Sequence, residues 1–198
     1  MKDILEIRIH GRGGQGAKTA SQFIAEAALR EGKYVQAFPE YGPERSGAPM
    51  KSYARISKHK ISIYSPVVNP DIVVVIDPTL IDNEDTLEDV LSGLKSKDIL
   101  IVNTKEKPEE LKKRSGFKGK VYTVDATKIS IETTGKNIPN TPMLGALSKI
   151  TGIISLESIK ECTRNKFIKK IGEKKTNAII EGIEKAYNSV KNETKKSI

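Results

Sequence analysis

The sequence predicts an α/β fold of three layers (α/β/α), in which helices cover both faces of a mixed, mostly parallel sheet. Residues 72–76 and 99–102 are continuous apolar runs, the pattern of strands that are buried on both faces. Residues 4–38 combine a strand, a glycine-rich turn, a helix and a second strand. Helical patterns fill most of the chain after residue 142. Strands that alternate with helices in this way are typical of a parallel sheet.

The opening segment has the layout of a Rossmann-like βαβ unit. Apolar residues recur through 4–9, and small residues follow one side of the helix that starts at Ala17. Gly32 should end this helix as a C-cap, and residues 34–38 should form the second strand.

The later elements follow from periodicity and from turn residues. Residues 50–56 and 60–64 both alternate and predict a short antiparallel hairpin. Thr141 followed by Pro142 has the order of an N-cap and a first helical residue. Further helices are expected at 79–94, 108–114, 142–152, 156–170 and 172–191, with a strand at 121–124.

Size and composition predict one globular domain, residues 1–198, without a membrane span. The 198 residues are 37% hydrophobic and 30% charged, and no apolar run approaches the roughly 20 residues that a bilayer crossing needs. The N-terminus leads directly into a strand, which leaves no room for a signal peptide. Cys162 is the only cysteine, so this chain alone cannot build a disulfide or a cysteine-ligated metal or iron–sulfur site. We therefore expect a cytoplasmic protein.

The charge of +9 is concentrated towards the C-terminus. Residues 156–198 hold eleven basic and six acidic side chains, but acids are interleaved with the lysines and no aromatic platform accompanies them. A solvated lysine-rich helix face is therefore favoured over a nucleic-acid site. An acidic protein partner or an anionic cofactor stays open as the ligand of this segment.

The glycine turn after the first strand is the strongest chemical signal. It consists of Gly11, Arg12, Gly13, Gly14, Gln15 and Gly16. A glycine-rich turn at a helix N-terminus suits an anion, because backbone N–H groups and the positive end of the helix dipole face it. The spacing also fits the dinucleotide fingerprint, but the acid expected on the second strand would be Glu40, which lies beyond a proline. We therefore favour an anion or pyrophosphate site over a free-standing dehydrogenase, with a plain tight turn as the alternative.

A second candidate segment follows the second strand, on the same sheet edge as the glycine turn. Its proline and glycine frame carries an aromatic, an acid and a forked cation, a composition that suggests recognition. The segment contains Tyr41, Gly42, Pro43, Glu44, Arg45 and Ser46, and it continues to residue 49.

Other polar residues near this edge are expected to have structural roles. Asp77 and Asn103 each follow a buried strand and are expected to cap turns or helices. His10 and His59 have no nucleophile or metal-ligand partner at a recognisable spacing, so we predict no catalytic and no metal-binding residue.

These motifs together resemble the gamma subunit of 2-oxoacid:ferredoxin oxidoreductases, most closely the pyruvate type. The resemblance rests on residues 10–17, 35–49, 69–78 and 140–146, in that order. It covers residues 4–153 well and the helical tail, 156–198, loosely. The form of residues 41–49 is closer to the pyruvate and branched-chain 2-oxoacid types than to the 2-oxoglutarate type.

The resemblance implies a subunit of an enzyme that oxidatively decarboxylates a 2-oxoacid with coenzyme A and passes electrons to ferredoxin. Alpha, beta and delta partner subunits would hold the thiamine diphosphate and the iron–sulfur clusters. By carry-over, Gly11–Gly16 and Tyr41–Ser46 should face the partner subunits and the ligand, and the N–H groups of Gly13 to Gly16, with Arg12, should receive a phosphate of coenzyme A. Inter-subunit packing is the alternative role of the same loop. We expect that this chain is inactive alone and that an isolated copy can pair as a homodimer.

Overall fold

The computed structural model describes residues 3–40 and 47–193, which form one seven-stranded sheet with helices on both faces. The strands are β1 (Ile4–Arg12), β2 (Tyr34–Pro39), β3 (Pro49–Ser57), β4 (Ile72–Val75), β5 (Ile99–Asn103), β6 (Lys120–Val124) and β7 (Lys191–Asn192). The helices are α1 (Ala17–Arg30), α2 (Glu84–Leu91), α3 (Pro108–Ser115), α4 (Ala126–Thr134), α5 (Asn140–Thr151), α6 (Leu156–Ile171) and α7 (Glu173–Ser189), with a 3₁₀ turn at Pro78–Ile81.

The sheet has the order β2-β3-β1-β4-β5-β6-β7. Five of its strands run in one direction, and β3 and β7 run against them. The mixed, mostly parallel sheet predicted from the sequence is therefore confirmed.

One pairing differs from the prediction. β3 lies between β1 and β2 and is antiparallel to both, so the opening strand–helix–strand unit is split by an inserted strand.

The predicted hairpin between 50–56 and 60–64 is wrong, because residues 60–64 form no strand. Their segment is held by a side chain instead: the Arg55 guanidinium donates to the carbonyls of Ile63 and Ser65.

Two apolar clusters cover the two faces of the parallel strands. Ile7, Ile9 and Val74 belong to the larger one, which includes residues of α1, α4, α5, α6 and α7. Val73, Val75 and Leu100 point the other way, into a smaller cluster with α2 and α3. Strands buried on both faces explain the unbroken apolar runs in the sequence.

Three helix predictions need correction. The segment expected as one helix, 79–94, is a 3₁₀ turn followed by α2, because the Asn83 side chain accepts hydrogen bonds from the N–H groups of a new first turn and so starts a second helix. α4 was not predicted, since its run of threonines and isoleucines has low helix propensity. α5 begins at Asn140 rather than after Thr141.

The C-terminal helices pack on the helical layer. α6 runs antiparallel to α1: Arg30 pairs with Glu161, the Lys166 Nζ lies 2.8 Å from a Glu26 carboxylate oxygen, and the rings of Phe23 and Phe167 are 5.8 Å apart. α7 packs against α5, where the backbone carbonyl of Ile183 approaches Gly145 so closely that a Cβ there would lie 2.0 Å from it. None of the helices within the described residues combines the length and the apolar character that a membrane crossing requires.

Candidate functional site

The glycine loop between β1 and α1 is a tight turn that its own glutamine holds in shape. The Gln15 N–H donates to the Arg12 carbonyl at 3.0 Å, and the Gln15 side-chain oxygen accepts from the Arg12 N–H at 2.8 Å. Gly14 and Gly16 have φ angles of 92° and 82°, a left-handed backbone that side chains rarely adopt. The loop therefore needs glycine at these two positions and glutamine between them.

A polar network joins the loop to the end of β4. The side-chain nitrogen of Gln15, Nε2, donates to the Asp77 carboxylate at 2.5 Å. The Arg12 guanidinium donates to Thr79 Oγ1 at 2.9 Å and lies 3.4 Å from the Asp77 carboxylate. Burial raises the pKa of the Asp77 carboxyl, but hydrogen bonds from Thr79 and Gln15 and the charge of Arg12 outweigh burial and hold that pKa below its usual value. Asp77 is thus an ionised anchor, and its carboxylate also caps the 3₁₀ turn through the Thr79 N–H, as predicted.

The second predicted segment meets the glycine loop at one place that the structure describes. The Gly13 N–H donates to the Ala48 carbonyl at 2.9 Å, the Gly47 N–H donates to the Gly13 carbonyl at 3.2 Å, and Arg12 donates to the Gly47 carbonyl. Residues 47–49 therefore lie beside the glycine loop at the same edge of the sheet. Tyr41, Gly42, Pro43, Glu44, Arg45 and Ser46 lie outside the described residues.

A second helix begins against the glycine loop. The Asn140 side-chain amide in the first turn of α5 lies 3.4 Å from the Gly16 carbonyl, and a Cβ on Gly16 would stand 2.4 Å from its nitrogen. Asn103, another residue predicted to cap, contacts the start of α4. Its side-chain nitrogen donates to Thr127 Oγ1, and its side-chain oxygen accepts from the Thr127 N–H. We call this edge the rim: the glycine loop, residues 47–49, Asp77 to Thr79, and Asn140.

The rim presents hydrogen-bond donors that the fold leaves unused. Neither α1 nor α5 has a side-chain cap or an acidic residue in its first turn. The N–H groups of Gly14 and Gly16 have no acceptor within residues 3–40 and 47–193, whereas that of Gly13 donates to Ala48 and that of Gln15 donates to Arg12. Because the first N–H groups of a helix lack internal partners, the rim can accept an anion at the meeting point of two helix N-termini.

A polar cluster that the sequence analysis missed lies on the face of β1 that does not carry Ile7 and Ile9. The buried Arg8 guanidinium donates to the carbonyls of Val90 and Ser92 at the end of α2, and to the His10 Nε2 at 2.9 Å. Burial, together with the charges of Arg8 and Lys51, lowers the pKa of His10 well below its usual value. The alternation of Glu6, Arg8, His10 and Arg12 in β1 was the signal for this polar face.

A cavity of about 320 Å³ opens beside this cluster, next to the rim. Its polar lining includes His10, Glu40, Lys51 and Asp89, and an ion pair of 2.5 Å joins Lys51 to Asp89. Glu40 accepts the Tyr53 hydroxyl, so the carboxylate that a dinucleotide fold would use for a ribose is engaged in the sheet. Among the described residues, no group of three or more histidine, cysteine or acidic side chains could hold a metal ion.

Comparison with known proteins shows the family of this chain. Residues 6–188 match the family model described as pyruvate ferredoxin/flavodoxin oxidoreductase. The chain belongs to this family. It is 48% identical over 183 residues to the common gamma subunit of the pyruvate/ketoisovalerate oxidoreductases of Pyrococcus furiosus, a match that covers 92% of this chain and 97% of that protein. The resemblance to a gamma subunit that the motifs predicted is thereby confirmed.

Two solved structures share the fold. The pyruvate oxidoreductase subunit PORC of Thermotoga maritima superposes with a TM-score of 0.86 at 46% identity, and the match covers 98% of this chain and all of that chain. The 2-oxoglutarate:ferredoxin oxidoreductase of Magnetococcus marinus, solved with 2-oxoglutarate, coenzyme A and succinyl-CoA bound, superposes with a TM-score of 0.76 at 26% identity. This chain corresponds to 31% of that longer polypeptide and is itself covered to 95%. The fold therefore occurs both in a chain of similar length and within a longer polypeptide.

Proposed function

We propose that this chain is the gamma subunit of a multi-subunit pyruvate ferredoxin oxidoreductase and that its rim binds a phosphate group of coenzyme A. The observation that carries the proposal is the meeting of two uncapped helix N-termini at a glycine loop. The related 2-oxoglutarate enzyme was solved with coenzyme A bound, which supports an anionic acyl carrier as the ligand. The common gamma subunit of Pyrococcus serves both pyruvate and ketoisovalerate enzymes, so the 2-oxoisovalerate enzyme is the second candidate.

In this proposal the ligand contacts are fewer than the motif alone suggested. Gly14 and Gly16 supply free backbone N–H groups, the first turn of α1 supplies those of Ala17 and Lys18, and α5 contributes its N-terminal dipole. Arg12 keeps Thr79, Gly47 and Asp77 in place, so its main role is to shape the rim. Its remaining guanidinium N–H groups can still donate to a phosphate.

The chain would act as one domain, because α6 and α7 pack on α1 and α5 and leave no separate C-terminal unit among the described residues. It would supply binding and assembly, whereas thiamine diphosphate and the iron–sulfur clusters would supply carbanion and electron-transfer chemistry from the alpha, beta and delta subunits, with ferredoxin as the electron acceptor. Its one cysteine fits a reducing compartment, and the cytoplasm is the proposed location. A free-standing dehydrogenase is disfavoured, because β3 occupies the position beside β1 that the second strand of a dinucleotide fold would take.

Lys18 offers a test that does not disturb the loop. Its exposed side chain stands in the first turn of α1, so Lys18→Glu should stabilise the helix by about 0.3–1 kcal/mol while repelling an anion at the same N-terminus. In the reconstituted complex, we expect the KM for coenzyme A to rise about tenfold, with the KM for pyruvate unchanged, and Lys18→Gln to have an intermediate effect.

Equal coenzyme A dependence in the Lys18→Glu complex and the wild-type complex would refute the phosphate site. If the variant instead fails to assemble with its partners, the rim packs against another subunit and does not bind the ligand.

A further inference from the structure

The turn between α6 and α7 is a basic projection, in which four lysines surround one exposed acid, Glu173. Its four exposed lysines, Lys169, Lys170, Lys174 and Lys175, have no ion pair with any residue that the structure describes, and we call them the basic tip. Gly172 links the two helices with a φ of 79°, its N–H donates to Ile168, and its carbonyl accepts from both the N–H and the hydroxyl of the fully buried Thr176. The tip is therefore preorganised.

Other lysines of the same two helices are used by the fold. Lys160 pairs with Glu157 and Glu184, Lys166 pairs with Glu26, and Lys185 pairs with Glu181. Among the lysines of α6 and α7 that the structure describes, only those of the tip lack an ion pair, and Arg164 of α6 is hydrogen-bonded to Asn177.

Two of the four tip lysines stand where the helix dipole disfavours a positive charge. Lys169 and Lys170 stand at the end of α6, where the helix dipole favours cations. Lys174 and Lys175 stand in the first turn of α7, where the dipole disfavours them by about 0.3–1 kcal/mol each. Folding does not account for lysines at these two positions, which is the arrangement expected of a surface that meets negative charge.

The tip lies at the same end of the molecule as the rim. α6 passes Arg30, Glu26 and Phe23 of α1 in that order on its way towards the tip. Four further residues, about one helical turn, bring the end of α6 level with the first half of α1. The tip therefore lies towards the end of α1 at which the rim is found.

We propose that the basic tip docks an acidic face of another polypeptide of the complex. Ile171, exposed to 37% between the two lysine pairs, offers the apolar contact that the centre of a protein interface uses. Nucleic acid is the less favoured partner, because no exposed aromatic ring accompanies the lysines and Phe167 is packed on Phe23. The proposal rests on assembly with partner subunits and does not depend on the coenzyme A site.

The test uses the assembled complex and a matched control. One variant reverses the four tip lysines (K169E, K170E, K174E, K175E), and the control reverses four exposed lysines without a described ion pair on the α2–α3 side, Lys95, Lys97, Lys113 and Lys118. Both variants change the charge equally. The NaCl concentration that releases each partner is measured on the immobilised gamma chain, and a zero-length carbodiimide cross-linker maps lysine–carboxylate contacts in the wild-type complex.

We expect one partner to leave the tip variant at a several-fold lower NaCl concentration than it leaves the wild type or the control. The cross-linker should join tip lysines to Asp or Glu of that same partner. An identical release profile for all three complexes, or cross-links that avoid the tip, would overturn the proposal. Loss of binding to mixed-sequence single-stranded DNA in the tip variant, with partner release unchanged, would assign the tip to nucleic acid and also overturn it.

Discussion

The contact between Gly16 and Asn140 can be tested by adding a single methyl group. In Gly16→Ala the new Cβ would stand 2.4 Å from the Asn140 amide nitrogen, well inside any real contact, at a φ of 82°. The left-handed backbone alone costs about 1–2 kcal/mol. Moving the Asn140 side chain away also loses its bond to the Gly16 carbonyl and strains the start of α5, which adds about 1–3 kcal/mol.

Gly14→Ala is the matched control, because Gly14 has a similar φ of 92° but a methyl group added there would meet nothing within 4 Å. It should cost only the backbone contribution, about 1–2 kcal/mol, whereas Gly16→Ala should cost about 2–5 kcal/mol. In an Asn140→Ala background the nearest remaining atom, the Cβ of residue 140, is at an ordinary 3.5 Å. The cost of Gly16→Ala should then fall to that of Gly14→Ala.

The assay is urea denaturation of the single and double variants, with the coupling energy taken from the double-mutant cycle. A coupling of about 1–3 kcal/mol between positions 16 and 140 is expected. A coupling near zero, or equal costs for the two glycine substitutions, would show that α5 does not hold the glycine loop.

Three further outcomes follow from the packing and from the charges. His10→Gln should flatten the pH dependence of stability below about pH 6.5, because the buried imidazole resists protonation whereas the imidazole of the unfolded chain accepts a proton. The free energy of unfolding of the wild type should fall by up to about 1.4 kcal/mol for each pH unit below that value. An equal slope in both proteins would contradict this. Arg8→Met should lower the free energy of unfolding by about 2–4 kcal/mol and speed amide hydrogen exchange in α2, because Arg8 binds the carbonyls at the end of that helix. Unchanged exchange in α2 would contradict this role of Arg8. Gly145→Ala should destabilise the protein by about 3 kcal/mol or more, because the added Cβ would stand 2.0 Å from the backbone of α7. Gly182→Ala should cost under about 1 kcal/mol, because its nearest neighbour is the Thr133 hydroxyl at 3.0 Å. Equal melting temperatures for the two variants would contradict the close helix contact.

The sequence predicted the features that local chemistry determines. The glycine loop, the buried strands β4 and β5, and the cap at Asp77 all follow from residue types at fixed spacings. Gly32 adopts the left-handed backbone that follows the end of α1, although the C-cap itself is Glu31 and not Gly32 as predicted. Family membership followed from the combination of motifs, which is more specific than any one of them.

The missed features depend on contacts between distant segments. Alternation in 60–64 predicted a strand, but nothing in the segment shows that Arg55 would bind its carbonyls in place of a neighbouring strand. The same limit hid the Arg8–His10 cluster, because the partners of Arg8 are backbone carbonyls more than 80 residues away. The hydrogen bonds from the Gly13 N–H to Ala48 and from the Gln15 N–H to Arg12 likewise depend on tertiary and turn geometry, and they leave fewer free N–H groups than the glycine count indicated.

The insertion of β3 beside β1 affects how the chain reaches its native state. The opening strand, helix and second strand cannot close into a sheet on their own, since the neighbour that separates them is synthesised afterwards. The glycine loop therefore receives its hydrogen bonds from Ala48 and Gly47 only once that later strand has docked. A ribosome-bound fragment that ends before residue 49 lacks β3 and should not hold these hydrogen bonds, and the rim is complete only after Asp77, Thr79 and Asn140 have also been synthesised.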